Sequence, residues 1–184
     1  IDLESGFGLH PSLAPLHGLY QSGHFAPVIA TGLKHDTHSH FDAMIMMEGG
    51  VTNPANAATG WLNRHLAIKK AVTISPFRAI ALSETLPGSL AGDVPVTALS
   101  SLQAFNLGSH EVLGDSYDET VEELFQGDTL LDKQGQQLFE AIKMLSTSGA
   151  VNQEPSNGAK YIEDFYFSDA LKEIARLIKA DLGM

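Results

Sequence analysis

The stretch HDTHSHFDAMIMMEGG, residues 35–50, joins a dense polar segment to an apolar one that two glycines close. Ser39 is a favourable N-cap residue, and Phe41, Met44 and Ile45 follow it at helical spacing. Glycine is a common residue just past the end of a helix. We therefore expect a helix that begins after Ser39, buries its methionines and ends at the glycine pair.

On both sides of this stretch the pattern alternates between helix and strand. Pro11 begins a helix that Gly23 ends, and a second helix over residues 60–70 follows the cap residue Thr59. The β-rich segments are 24–30 (HFAPVIA), 71–74 (AVTI), 79–82 (AIAL) and 94–99 (VPVTAL). The alternation predicts an α/β fold, a layered sheet flanked by helices.

The second half of the chain is helical in character. It has an acidic helix at 115–126, a long helix that Asp128 opens and Gly149 ends, and a polar loop at 150–160. Ser168 is expected to cap the last helix. The buried stripe of that helix is predicted to be Leu171, Ile174, Ile178 and Leu182. We thus predict an α/β portion over residues 1–110 and a helical segment of the same domain over 111–184.

Composition restricts the classes of function. The formal net charge is −11, with 22 acidic and 11 basic residues, so the surface repels phosphate backbones and anionic lipids, and neither nucleic acid nor membrane is an expected partner. The absence of cysteine excludes disulfides and cysteine-ligated metals. No run approaches the roughly 20 apolar residues that span a bilayer.

The polar segment offers candidate metal ligands. His35, Asp36 and His38 supply imidazole and carboxylate groups, which suit zinc, manganese or iron. His38 and His40 would share one face of an extended segment. The alternative is an exposed polar loop before a capped helix, and sequence spacing leaves both readings open.

The same segment offers candidate nucleophiles. Ser39 and Thr37 place hydroxyl groups at a helix N-terminus, where backbone N–H groups and the helix dipole stabilise an anion. His40 and Arg64 are the candidate residues for binding that anion. The alternative reading makes Ser39 only an N-cap, contributing about 1 kcal/mol, and Arg64 an extended surface side chain.

Three stretches are informative together: FGLHPSLAPLHGLYQSGHFAPVIATGL, SHFDAMIMMEGG and TGWLNRHL. They resemble the DUF1501 family of exported bacterial proteins, which is grouped with the alkaline phosphatase/sulfatase superfamily. The resemblance covers residues 6–66 well and residues up to about 105 more loosely.

The resemblance implies a central sheet flanked by helices, periplasmic or secreted localisation, and hydrolysis of a small phosphate or sulfate ester. It implies that Ser39, with Thr37 as the alternate, is the nucleophile. It also implies a divalent metal (zinc, manganese or calcium) whose other ligands lie in the remainder of the same polypeptide, so that residues 1–184 alone would be inactive.

Two other functions fit the same residues. The first is a non-catalytic exported binding or accessory protein on the same scaffold. The second is a small metal-binding module that uses His35, His38 and His40. Hydrolysis assays separate the hydrolase from the binding protein, and a zinc titration separates both from the module.

Overall fold

The computed structural model describes residues 1–69, 75–107 and 116–183, except for the side chains of 116–118. It contains two compact units, Ile1–Asp36 and Thr37–Met184. The boundary between the units therefore falls inside the polar segment. No helix in the described ranges is both long enough and apolar enough to cross a membrane.

The first unit contains the predicted N-terminal helix. A 3₁₀ turn at Pro11–Leu13 continues as α1, Ala14–Gln21. His10 Nδ1 accepts a hydrogen bond from the Ser12 N–H at 3.2 Å at the start of the turn. Gly23, in the left-handed region at φ +75°, follows the helix. The prediction of a helix between Pro11 and Gly23 is confirmed.

Residues 24–30 form no strand, so that prediction is wrong. Pro27 has no backbone N–H to offer a neighbouring strand. Ala30 lies in the left-handed region at φ 55°, which ends any extended run. Favourable β-propensity of the apolar residues does not overcome these two backbone constraints.

The second unit is a mixed α/β structure. Its helices are α2 His40–Gly49, α3 Trp61–Ile68, α4 Ser116–Glu123, α5 Leu130–Ser148 and α6 Tyr166–Ala180. Its strands are β1 Ile80–Leu82 and β2 Thr97–Leu99, and 3₁₀ turns lie at Pro54–Asn56, Gly88–Leu90 and Ala150–Asn152. The mixed α/β class is confirmed. The sheet of the described residues has two short strands in place of the larger layered sheet that the sequence predicts.

The two strands are parallel, with Ile80 opposite Thr97 and Leu82 opposite Leu99. The second strand begins three residues later than predicted. Val94 bonds to a side chain of α3 through both its N–H and its carbonyl, and Pro95 has no N–H, so neither residue extends the ladder. The predicted strand at 71–74 lies outside the described residues.

One apolar core joins the strands to the helices that follow them. Phe77 and Leu99 from the strand region are buried with Leu145 of α5 and Leu177 of α6. Phe77 also packs edge-on against Phe105, with ring centroids 6.4 Å apart. Residues on both sides of position 110 therefore belong to one packed unit.

Helix α2 buries a different face from the predicted one. Met46 is 1% exposed, whereas Met44 and Met47 are among the exposed apolar side chains. A Cβ at Gly49 would come within 2.8 Å of the Ala57 Cβ. The small residue thus lets the chain near the 54–56 turn approach this face closely, and the wider methionine-rich face is left outside.

Helix α3 begins at a glycine. Its N-cap is Gly60 and makes no side-chain cap bond, so the prediction that Thr59 caps this helix is wrong. A Cβ at residue 60 would lie 2.1 Å from the Ser89 carbonyl oxygen. Because the backbones approach so closely, only glycine fits at this cap.

The N-cap of the long helix α5 is Thr129, one residue after the predicted Asp128. Thr129 and Asp132 form a reciprocal capping box, and Gly149 ends the helix at φ +69° as expected. Asp132 Oδ2 accepts from the Thr129 N–H at 2.9 Å. This hydrogen-bonded pair satisfies backbone donors that a helix start otherwise leaves open.

Helix α6 departs from prediction in both its cap and its buried face. It begins at Tyr166 after Phe165, and Ser168 lies within its first turn. The hydroxyl of Ser168 instead accepts from the Ile162 N–H at 2.7 Å. Leu177 is fully buried, whereas Leu171 and Ile178 of the predicted stripe are exposed. Leu182, beyond the helix end, is buried as predicted.

Candidate functional site

The hydroxyl group of Ser39 caps the first turn of α2. Ser39 Oγ accepts a hydrogen bond from the Asp42 N–H at 3.2 Å, and Ser39 has extended backbone angles, as an N-cap residue requires. The helix ends at Gly50, which is left-handed at φ 59°. The sequence-based prediction of this helix, including its cap residue, is confirmed.

Thr37 and Asp42 complete a small network around the cap. Thr37 Oγ1 accepts from the Ser39 N–H at 3.1 Å and donates to Asp42 Oδ2 at 3.5 Å. In an ordinary capping box the third helical residue accepts directly from the N-cap amide. Here the Thr37 hydroxyl lies between them, so two hydroxyls and one carboxylate meet at the start of α2.

Asp42 belongs to this network, although no catalytic or binding role was predicted for it from the sequence. Its position three residues after Ser39 matches the spacing of a capping box, and that spacing was the available signal. A carboxylate in the first turn also interacts favourably with the positive end of the helix dipole. Because Asp42 accepts a hydrogen bond from the Thr37 hydroxyl, it can also accept a proton from a hydroxyl group.

The first two amides of α2 face no acceptor. Within the described residues, the N–H groups of His40 and Phe41 make no hydrogen bond. Ser39 and Thr37 are half-buried, whereas the residues His38 and His40 are exposed. The arrangement combines a partly sheltered hydroxyl with two open backbone donors, which is suited to holding the oxygens of an anion.

The structure does not bring Arg64 to this site. Its guanidinium donates to the Gly49 carbonyl at 2.7 Å and to the Thr59 carbonyl at 2.6 Å. Gly49 is the last residue of α2, about 15 Å along the helix axis from its start. Arg64 therefore serves the C-terminal end of α2, where a cation is favourable, and does not share an anion with Ser39.

The described residues do not form a metal centre. No group of three or more histidine, aspartate or glutamate side chains in ranges 1–69, 75–107 and 116–183 is arranged to hold a metal ion. Of the three predicted ligands, His35 and Asp36 end the first unit, and His38 belongs to the second. The divalent metal that the sequence resemblance implies, with its other ligands outside residues 1–184, therefore stays a prediction.

Comparison of the chain with protein-family models, with curated proteins and with solved structures finds no match. The resemblance of residues 6–66 to an exported hydrolase-like family therefore stays a prediction.

Proposed function

We propose that the start of α2 is the nucleophile-bearing site of a phosphate- or sulfate-ester hydrolase related to the alkaline phosphatase/sulfatase class. One observation carries the proposal. The half-buried hydroxyl of Ser39 stands at a helix N-terminus beside the unoccupied N–H groups of His40 and Phe41. An ester of phosphate or sulfate can present its non-bridging oxygens to those amides while its central atom meets the hydroxyl oxygen.

The chemistry proceeds in two displacements. Ser39 Oγ attacks the phosphorus or sulfur atom and gives its proton to Asp42, the bond to the ester oxygen breaks, and that proton passes from Asp42 to the leaving alcohol. Water then attacks the serine ester and releases inorganic phosphate or sulfate. Asp42 takes the serine proton, because it is the carboxylate that the network already joins to a hydroxyl of this site. Thr37, which contacts Asp42 directly, is the alternate nucleophile.

A divalent metal (zinc, manganese or calcium) belongs to this proposal only through the resemblance. Because no described group of residues fits a metal, no step above passes through one. The proposal includes export to the periplasm or beyond the cell, and completion of the site by other segments of the same polypeptide. Each of these parts has its own test, in the localisation of the protein and in its metal content.

The deciding experiment measures hydrolysis of 4-nitrophenyl phosphate and 4-nitrophenyl sulfate by the full-length protein and by Ser39→Asn. Asparagine caps helices about as well as serine, so the variant keeps the fold and loses the nucleophile. We expect activity to fall at least 100-fold, and Ser39→Thr to restore part of it. Thr37→Val is the parallel variant for the alternate nucleophile.

Unchanged activity in Ser39→Asn together with lost activity in Thr37→Val would identify Thr37 as the nucleophile. Unchanged activity in both variants, or an inactive wild-type protein, would refute the hydrolase. Circular dichroism of each variant shows whether α2 is intact.

A binding or accessory role is the second candidate, and exposed apolar side chains on α2 favour it. Phe41, Met44 and Ile45 are 77%, 51% and 43% exposed, and their spacing puts them on one face of the helix. A contiguous exposed apolar patch is typical of an interaction surface. An inactive wild-type protein that still binds phosphate at the amides of His40 and Phe41, seen by NMR, would support this role.

A further inference from the structure

A separate cavity of about 230 Å³ opens at the carboxyl ends of β1 and β2. Ser83 and Glu84 follow β1 directly, and Ser100 and Ser101 follow β2, so the parallel pairing brings both polar pairs to the same edge. In α/β proteins the edge beyond the carboxyl ends of parallel strands is where ligands bind. The hydrolase proposal uses none of these residues.

The serine O–H groups of the cavity donate no hydrogen bond to the described residues. Ser101 Oγ accepts from the Ala104 N–H at 3.1 Å, and Ser83 Oγ accepts weakly from the Thr85 N–H at 3.4 Å. These bonds use lone pairs and leave the O–H groups available. Ser100 makes no side-chain bond to the described residues. The serines can therefore donate to oxygen atoms of a ligand.

Glu84 sets the charge of the cavity. It lines the opening, is exposed, and forms no ion pair or hydrogen bond with the described residues. Among the residues that the structure describes, no basic side chain lines the cavity, and the formal net charge of the protein is −11. An anion would be repelled both by the carboxylate and by the field of the whole molecule, whereas a cation would be attracted.

The remaining wall is apolar and includes an aromatic ring. Leu99 is buried beneath the cavity, and Phe105 lines it while its ring is fixed edge-on against Phe77. An ammonium group is favoured both by a carboxylate and by the face of an aromatic ring. The volume is below the range typical of drug-sized ligands, so the ligand is small.

We propose that this cavity binds a small protonated amine that carries a hydroxyl group. The ammonium group pairs with Glu84, and the hydroxyl oxygen accepts from the serines of the strand ends. The site is independent of the proposed hydrolase, since it requires neither Ser39 nor a metal.

The test titrates ¹⁵N-labelled protein with 2-aminoethanol hydrochloride, with ethylene glycol and with inorganic phosphate at constant ionic strength. We expect saturable shifts for the amine at the amides of 83–84, 98–101 and 104–105. Ethylene glycol, which has the same size without the charge, should bind at least tenfold more weakly. Phosphate should leave these amides unchanged.

Glu84→Gln should weaken binding of the amine at least tenfold, and Glu140→Gln, the same change on the exposed surface of α5, should leave it unchanged. Ala104→Phe places a ring in the cavity from an exposed position and should abolish saturation. Equal binding of amine and glycol, unaltered binding in Glu84→Gln, or no saturable shift in the wild type would each overturn the proposal.

Discussion

Asn63 and Val94 exchange two hydrogen bonds. Asn63 Nδ2 donates to the Val94 carbonyl at 2.8 Å, and the Val94 N–H donates to Asn63 Oδ1 at 3.1 Å. The same amide nitrogen donates to the Leu90 carbonyl at 2.9 Å. With the residue 3% exposed, water cannot replace these bonds. One side chain thus fastens the connection between β1 and β2 to helix α3.

Asn63→Ala should destabilise the protein by about 2–4 kcal/mol, because it leaves a buried N–H and two carbonyl groups without partners. Urea unfolding followed by circular dichroism measures the change. Asn56→Ala is the matched control, since Asn56 is exposed and its side chain makes no hydrogen bond to any residue that the structure describes. Equal stability of the two variants would show that the Asn63 bonds contribute nothing.

Gly60→Ala should also be destabilising, by about 1–3 kcal/mol or more. Its Cβ would lie 2.1 Å from the Ser89 oxygen and 2.3 Å from the Gly88 oxygen, and both are backbone atoms that cannot rotate away. Gly18→Ala in α1, where a Cβ meets nothing within 4 Å, should be neutral or stabilising by up to about 1 kcal/mol. Thermal unfolding of both variants tests this contrast, and a melting temperature unchanged by Gly60→Ala would contradict it.

Arg64→Met should cost about 1 kcal/mol by releasing the carbonyl at the end of α2. It should not change the response to phosphate, because the guanidinium is already committed to Gly49 and Thr59. The measurement compares melting temperatures with and without 10 mM phosphate. This concentration is sufficient to detect phosphate binding with a dissociation constant on the order of 1 mM. If phosphate raises the melting temperature of the wild type but not of Arg64→Met, Arg64 binds the anion.

Stability should depend on pH through Asp132. Its pKa lies below the ordinary value of 3.8 because the Thr129 side chain, and then the Thr129 amide, donate to its carboxylate. A lowered folded-state pKa contributes stability that is present above 3.8 and is lost as the pH falls through the folded value. The stability gap between wild type and Asp132→Asn should therefore shrink on acidification.

Urea unfolding at pH 6 and pH 3 measures that gap. Thr129→Val removes the principal hydrogen-bond donor and should reduce the pH-dependent part in the same way. If the stability gap is the same at both pH values, the capping box does not lower the pKa of Asp132.

Local signals in the sequence specified helix ends better than helix faces. Ser39, Gly23 and Gly149 act through their own backbone or through bonds within one turn, and each was predicted from its neighbours. The buried face of α2 depends on which segments approach it, here the turn that reaches Gly49. No periodicity within ten residues contains that information.

The same contrast between local and tertiary contacts applies to the candidate site. Spacing placed the Ser39 hydroxyl at a helix start, because a cap is local. It also suggested Arg64 as an anion ligand, but the partners of Arg64 are the Gly49 and Thr59 carbonyls. Likewise Ser168 looked like a cap, yet its hydroxyl accepts from Ile162, six residues earlier. Polar side chains that choose between several backbone partners need the tertiary structure to be assigned.

The hydrogen bond from the Ser75 hydroxyl to the Leu182 carbonyl spans 107 residues. Leu182 and Leu177 also complete the core around Phe77. Closing so long a loop costs entropy before any contact is made, and folding slows as contacts become less local. During synthesis, Phe77 and Leu99 therefore stay partly exposed until α6 has been made. Until α6 has been synthesised, the exposed apolar residues of the second unit should make it prone to aggregation.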